Sequence, residues 1–462
     1  MIFKKNISSL HLPHNKHTAG CIPMKIDTPK EVVLPMNMHS GHVAEPIVNV
    51  GDHVYVGQLI AREEGRFSSP VHATVSGTVV EIGPIPVAKP STHAHGVQND
   101  FVTAIRIESD GLMEKDPSIK APEITDCDSF LQAVRDSGLV GLGGAAFPVW
   151  AKLNEATNPE YKVDTVLINA AECEPYITSD HRMMVDHTDL IADGIEYLRK
   201  YMNEYLGNAK FMICVENNKP DAIAALKKTF EGKDYVEIKE LVAIFPQGAK
   251  QVMLYNATGR VAVKGRRFPS FGSIIINVSS IAKMAEYLNT GMPLVERIVT
   301  VDGSAVANPM NLIAPIGTRI SCLLEKTGLK SEPGKIILGG PMNGNAVYSV
   351  ESPILKVANC VLVFNEKDSV LTEPSACINC GRCIGKCPVG IDVANVGRAL
   401  RIKDEDRSAK MLLDTGVRQC VECGCCSYVC PAHRQLLQTN QDAMRFLKNY
   451  AAKQKEKEGG NR

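Results

Sequence analysis

Eight of the fifteen cysteines in this 462-residue chain fall into two runs of one spacing, Cys-x2-Cys-x2-Cys-x3-Cys-Pro. The first run is Cys377, Cys380, Cys383 and Cys387 before Pro388; the second is Cys420, Cys423, Cys426 and Cys430 before Pro431. Thiolates at this spacing let one tight loop occupy three corners of an iron–sulfur cubane, while the fourth cysteine reaches the cubane anchored by the other run. The spacing therefore assigns Cys377, Cys380, Cys383 and Cys430 to one 4Fe–4S cluster. Cys420, Cys423, Cys426 and Cys387 belong to a second. Structural zinc also favours paired thiolates, but two matched runs with a following proline point to iron and sulfide. Cys425 lies between ligands and stays outside the cluster.

The rest of the composition narrows the class. A disulfide scaffold suits small secreted domains, not a chain of this length with no apolar leader. Lysine and arginine balance aspartate and glutamate at 51 each, which argues against a nucleic-acid groove. No apolar run approaches the ~20 residues needed to span a bilayer. The expectation is a cytoplasmic chain with no direct membrane span, reaching a membrane only through partners.

Along the chain, residues 1–30 read as an irregular arm, with His11, His14, His17 and Cys21 scattered along it. Residues 31–110 hold short alternating strands and glycine turns in two similar halves, the pattern of a small β-sandwich of the biotinyl or lipoyl type. The stretch from Arg62 to Val80 has no lysine, so a swinging-arm carrier is not expected and the module reads as docking or structural. Residues 122–295 alternate strands (163–169, 211–216, 235–242) with helices (188–202, 220–230, 250–257, 280–288), an α/β layer around a mostly parallel sheet. Residues 296–365 form a small α+β unit around one helix at 319–327. The cysteine domain, 369–445, is mostly helical between its ligand loops, and the polar tail 446–462 is expected to fray.

Two further segments carry chemistry. Gly138-Leu-Val-Gly-Leu-Gly-Gly-Ala-Ala-Phe-Pro148, followed by Lys152, is a loop whose amides could approach a phosphate. It does not directly follow a strand, so it fails the dinucleotide fingerprint and reads equally as a tight helix–helix turn. Val166-Leu-Ile-Asn-Ala-Ala-Glu-Cys-Glu-Pro-Tyr176 is an apolar strand ending in Asn169, with Glu172 and Glu174 beyond it. Ligands of open α/β sheets bind at that end, although a solvated acidic turn would look the same.

The pairing of GLGGAAFPVWAKL with LINAAECEPY, ahead of two ferredoxin-like runs, resembles the RnfC family, the C subunits of the Rnf electron-transport complexes. That resemblance covers nearly the whole chain. It implies a barrel-sandwich module, a flavin domain like that of the NADH-binding subunit of respiratory complex I, an SLBB-type β-grasp unit and a helical two-cluster domain. It implies FMN bound non-covalently, NAD(H) as substrate, ferredoxin as an indirect partner, and the other subunits of a membrane-bound Rnf complex as direct ones. By the same resemblance Gly141, Gly143, Gly144 and Lys152 would cradle the FMN phosphate and its surroundings. Asn169 and Glu172 would lie against the flavin, and Asn277 would reach its phosphate side. Phe147 and Glu174 would face the nicotinamide nucleotide, with Glu174 the catalytic choice. Ala146 stands where the complex I subunit has glycine. The loop from Pro246 to Lys250 lacks the glutamate pair found there.

The expected function is a peripheral subunit on the cytoplasmic face of the membrane in an ion-translocating ferredoxin:NAD oxidoreductase. It would exchange hydride between NAD(H) and FMN and single electrons with the clusters. Two alternatives remain open at this stage: a reductase serving cobalamin or an amino-acid reductase, and a non-catalytic electron relay.

Overall fold

The computed structural model describes residues 9–65, 67–86, 101–263 and 265–459. The start of the N-terminal arm, part of the β module and the last three residues of the tail lie outside the described residues. Two compact units form. One comprises residues 14–242 and 267–369; the other comprises residues 9–13, 243–266 and 370–459.

In the first unit, the β module has two sheets. One orders Glu31–Pro35, Phe101–Ser109, Gly77–Pro86 and His53–Val54; the other orders Glu45–Pro46, Leu59–Arg62 and Val71–His72. Inward side chains such as Val32, Leu34, Val79, Ile105 and Ile107 join the same apolar core as Val166, Ile168, Ile274 and Ile281 of the α/β layer. The module and the layer thus bury one continuous core, which ties the module down far more firmly than a docking appendage.

The α/β layer is a four-stranded sheet in the order Val236–Leu241, Lys210–Glu216, Thr165–Ala170, Ser273–Asn277, every neighbour parallel. Thr165–Ala170 and Ser273–Asn277 are apolar and buried over most of their length, as strands covered on both faces must be. Starting from Thr165–Ala170, the chain adds two strands on one side, then returns to add Ser273–Asn277 on the other. The order therefore reverses between these two strands. That reversal opens a crevice at their C-terminal ends, where ligands of open α/β sheets bind.

The remaining sheet orders Met24–Lys25, Met310–Pro315, Glu296–Asp302, Cys360–Asn365, Pro333–Leu338 and Asn345–Val347, with helix Ile320–Thr327. Met24–Lys25 comes from the segment read as an irregular arm. The arm is fixed because its polar groups find partners. His17 Nδ1 bonds Asp302 at 3.0 Å, and Thr18 Oγ1 bonds Thr178 Oγ1. Asn311 Nδ2 donates to the Thr18 carbonyl at 2.9 Å.

The second unit holds the cysteine domain: helices Val393–Ala399, Glu405–Asp414 and Leu436–Gly459, and short helical turns Arg382–Gly385 and Cys425–Tyr428. Two sequence expectations need correction here. The tail does not fray before Gly459, because Lys453 pairs with Glu405 at 2.8 Å and Tyr450 donates to Asp406 at 2.6 Å. The segment Ala243–Arg266, read as part of the α/β domain, groups instead with the cysteine domain. Phe245 exchanges both backbone bonds with Leu10, at 2.8 and 2.9 Å, and the Cys425 thiol lies 4.0 Å from the Phe245 carbonyl. The parallel sheet does not need this segment, since Ser273–Asn277 pairs directly with Thr165–Ala170.

Candidate cofactor sites

The two cysteine runs fold alike. Asn379 and Gly381 in the first, and Glu422 and Gly424 in the second, adopt left-handed backbone angles (φ 56°, 71°, 57° and 74°). Each glycine then starts a one-turn helix. These paired reversals give the two loops the same local shape. Cys377, Cys380, Cys383 and Cys430 line one cavity of about 420 Å³. Cys387, Cys420, Cys423 and Cys426 line another of about 20 Å³, which Cys425 also borders. In each cavity the fourth cysteine comes from the other run.

A tetrahedral zinc site would draw four sulfurs to ~2.3 Å from one ion. Among the described residues no three His, Cys, Asp or Glu side chains form such a single-ion site. The thiols instead face two separate cavities. The surroundings differ: Cys377 and Cys380 are exposed, whereas Cys420, Cys423 and Cys426 are buried. Burial pushes the Cys426 thiol up to about 12, so iron must displace its proton on binding.

At the crevice of the α/β sheet, Asn169 and Asn277 are register partners on adjacent strand ends. The glycine loop lies against them. The Leu142 amide donates to Ser280 Oγ at 3.0 Å, and Gly141 donates to the Phe147 carbonyl at 2.8 Å. A Cβ on Gly143 would stand 3.4 Å from Asn277 Nδ2. At Gly144 a Cβ would meet nothing within 4 Å, yet φ is +104°, so backbone shape rather than crowding selects glycine. Ala146 is also left-handed, at φ 49°, the conformation for which glycine is the default residue.

The acidic turn divides its two carboxylates. Glu172 turns away from the loop: its Oε1 accepts the Asp180 amide at 2.6 Å and its Oε2 the His181 amide at 3.3 Å, capping helix Ser179–Asp186. Burial raises its carboxyl to about 7, against the opposing pull of Lys16. Glu174 instead lines a cleft of about 110 Å³ with Gly143, Gly144, Gly340 and Asn343. Its Oε2 accepts the Met342 amide at 3.0 Å, and burial raises it to about 7 as well. Glu174 Oε1 is buried with no hydrogen-bond partner. An unsatisfied buried acceptor beside an open glycine face fits a bound group that brings its own donors.

Residues 134–286, which span this crevice, match the family described as the Nuo51 FMN-binding domain. Residues 5–111 match the RnfC barrel sandwich hybrid domain, and 373–434 the 4Fe-4S dicluster domain. The C subunit of the Na+-translocating ferredoxin:NAD+ oxidoreductase complex of Acetobacterium woodii is 37% identical over 392 residues, 84% of this chain and 85% of that one. The chain belongs to the RnfC family. The C subunit of the proton-translocating ferredoxin:NAD+ oxidoreductase complex of Clostridium ljungdahlii is 36% identical over 82% of this chain and 80% of its own length. The cofactors of this family member are FMN and two 4Fe–4S clusters.

Of the residues expected at the flavin, Gly143 and Gly144 line the cleft with Glu174, and Asn169 and Asn277 end adjacent strands beside the glycine loop. Asn277 uses its side chain within the protein, Oδ1 capping helix Val278–Thr290 and Nδ2 donating to Asp180 at 2.7 Å. Phe147 packs against Phe67 of the β module, ring centres 5.4 Å apart. Lys152 is half-buried on helix Val149–Asn154, directly after the loop.

Lys16, Lys219 and Gly340, which shape the acidic turn, were not expected from sequence. Lys16 Nζ donates to the carbonyls of Glu172, Glu174 and Ile177 at 2.8, 2.8 and 2.6 Å, holding the whole acidic turn. Lys219 Nζ supports the same turn through the Ala171 carbonyl at 2.7 Å. A Cβ on Gly340 would stand 2.2 Å from Glu174 Oε2, so only glycine lets that turn close on the carboxylate. The GGPMNG stretch could have signalled a close backbone approach, whereas nothing in the arm marks Lys16.

Proposed function

We propose that this chain exchanges hydride between NAD(H) and FMN and single electrons with its two clusters, as a peripheral subunit of a membrane-bound Rnf complex. FMN supplies the chemistry that joins a two-electron donor to one-electron carriers. The observation that carries the reading is Glu174, buried with one free acceptor in a cleft shared with Gly143 and Gly144. Gly141, Gly143, Gly144, Lys152, Asn169 and Asn277 are the residues that would hold the flavin. Glu172 fixes the turn through its helix cap, and Lys16 fixes the carbonyls of Glu172 and Glu174. With its backbone clamped, Glu174 can offer Oε1 to ribose hydroxyls or the nicotinamide amide and so orient the donor. The mixed sheet with a single helix at residues 296–365 supports a β-grasp reading of the unit whose Gly339–Gly344 turn closes over Glu174.

Among the described residues no helix is long and apolar enough to cross a membrane. The relatives' names place them in multi-subunit ferredoxin:NAD+ oxidoreductases. Both facts support attachment through partner subunits, at the cytoplasmic face where NAD(H) is found. The test is NADH-dependent dye reduction by the purified chain carrying full FMN and iron. Turnover with NADH supports the proposal; its absence in fully loaded protein would leave only an electron relay.

A further inference from the structure

We infer that Asn440 is a positioning residue that sets the potential of the second cluster by hydrogen bonding to two of its cysteine ligands. The inference rests on the assignment of Cys387, Cys420, Cys423 and Cys426 to that cluster. Asn440 lies on helix Leu436–Gly459 and is 1% exposed. Its Nδ2 is 3.7 Å from Cys420 Sγ and 4.0 Å from Cys426 Sγ, within reach of N–H···S bonds. The neighbours on the same helix face, Leu436, Ala443 and Leu447, all pack into the domain core. At such a position an apolar residue is expected.

The amide is therefore out of pattern, and it is only half satisfied, because Asn440 Oδ1 is buried without a partner. Burying an unpaired carbonyl oxygen disfavours the fold, so packing does not explain the residue. A thiolate sulfur accepts hydrogen bonds and cannot donate them, which fixes the amide with its NH2 group towards the ligands. The rest of the cavity wall is largely apolar: Val389, Ile391, Val393, Val421 and Leu437. Backbone amides also reach these sulfurs, among them that of Ile391, 3.3 Å from Cys387 Sγ, but Asn440 is the side-chain amide that spans two ligands.

Reduction adds an electron to a cluster that is already anionic, and burial away from water opposes this. Hydrogen bonds to the sulfurs favour it, and both effects move the potential. The second cavity is the buried one, and Asn440 supplies donors there. The residue holds the potential of the buried cluster above the value that burial alone would give.

The test is an EPR-monitored redox titration of the full-length chain with reconstituted clusters, comparing Asn440→Leu with the unsubstituted protein. The second cluster's signal is identified as the one lost in Cys423→Ala. In Asn440→Leu its reduction equilibrium should move about tenfold towards the oxidised form, roughly 59 mV for one electron, with the other signal unmoved. Asn440→Gln, which keeps a donor, should restore part of the shift. An unchanged potential at full iron content overturns the inference, and so does a shift confined to the other signal. Loss of neither signal in Cys423→Ala would show that the ligand assignment itself had failed. Pulsed EPR on unsubstituted protein labelled with 15N in asparagine side chains covers the case in which Asn440→Leu cannot assemble the cluster. Weak nitrogen coupling on the second cluster's signal supports the inference, and its absence overturns it.

Discussion

The cysteine loops and the crevice of the α/β layer are built by opposite means. All eight cluster cysteines lie between residues 377 and 430, and each loop shapes itself through its own left-handed pair, Asn379 with Gly381 and Glu422 with Gly424. The crevice gathers Gly143, Glu174, Asn277 and Gly340 from distant parts of the chain, and Lys16 reaches Glu172 across 156 positions. A local site tolerates change elsewhere in the molecule. An assembled site depends on buried charges that must all be present, because an isolated buried charge is costly.

The largest expected effect tests the local half of this comparison. Cys387→Ser should lose the cluster anchored by the second run, so iron falls from about eight atoms per chain to about four. FMN content, read from the released flavin, should not change. Loss of flavin with the cluster would mean that the two regions are not independent.

Lys16→Met tests the other half. It leaves three carbonyls and a neighbouring carboxylate without their buried cation, and breaking such a pair costs about 3–5 kcal/mol. Thermal unfolding should shift down sharply and flavin affinity should fall, while iron content stays full. Lys16→Arg should recover part of the loss. Unaltered flavin binding in Lys16→Met would show the crevice to be as self-contained as the cluster loops.

Protonation gives a smaller and more specific effect. Glu174 titrates near 7 in the folded chain against an ordinary 4.5. Between those values the folded state holds a proton that the unfolded state has lost, so this group's contribution to stability falls as pH rises through that window. Glu174→Gln removes the titration, and denaturant melts from pH 4.5 to 7 should show a flatter dependence than those of the unsubstituted chain. An identical slope in both would place Glu174 in water.

The smallest effect is at Cys425, whose thiol is buried beside the Phe245 carbonyl. Cys425→Ala should cost about 1 kcal/mol and keep both clusters. Loss of iron there would overturn the ligand assignment.

The same contrast explains what could be seen in the sequence. Ligand spacing is a local property, so a two-cluster domain was legible from the cysteine runs alone, and the cavities group Cys430 with the first run and Cys387 with the second. Strands such as Thr165–Ala170 and Lys210–Glu216 were legible within a residue or two, because a strand buried on both faces must be apolar throughout. The sheet order was not legible, and it is the order that creates the crevice. Lys16 was invisible because a lysine in a polar arm looks solvated until Met24–Lys25 joins a sheet and carries the arm inward. Glu172 and Glu174 look alike in sequence and differ only because a helix start lies beside one and a glycine turn beside the other.

The central claim is that Glu174 orients a nicotinamide nucleotide at the flavin, and stopped-flow reduction of the bound flavin by NADH tests it most directly. A hydrogen bond to a charged acceptor contributes about 1.5–3 kcal/mol. Glu174→Ala at full flavin and iron occupancy should therefore bleach the flavin on the order of tenfold to a hundredfold more slowly than the unsubstituted chain. An unchanged rate in Glu174→Ala, or no bleaching of the unsubstituted protein by NADH, would contradict it.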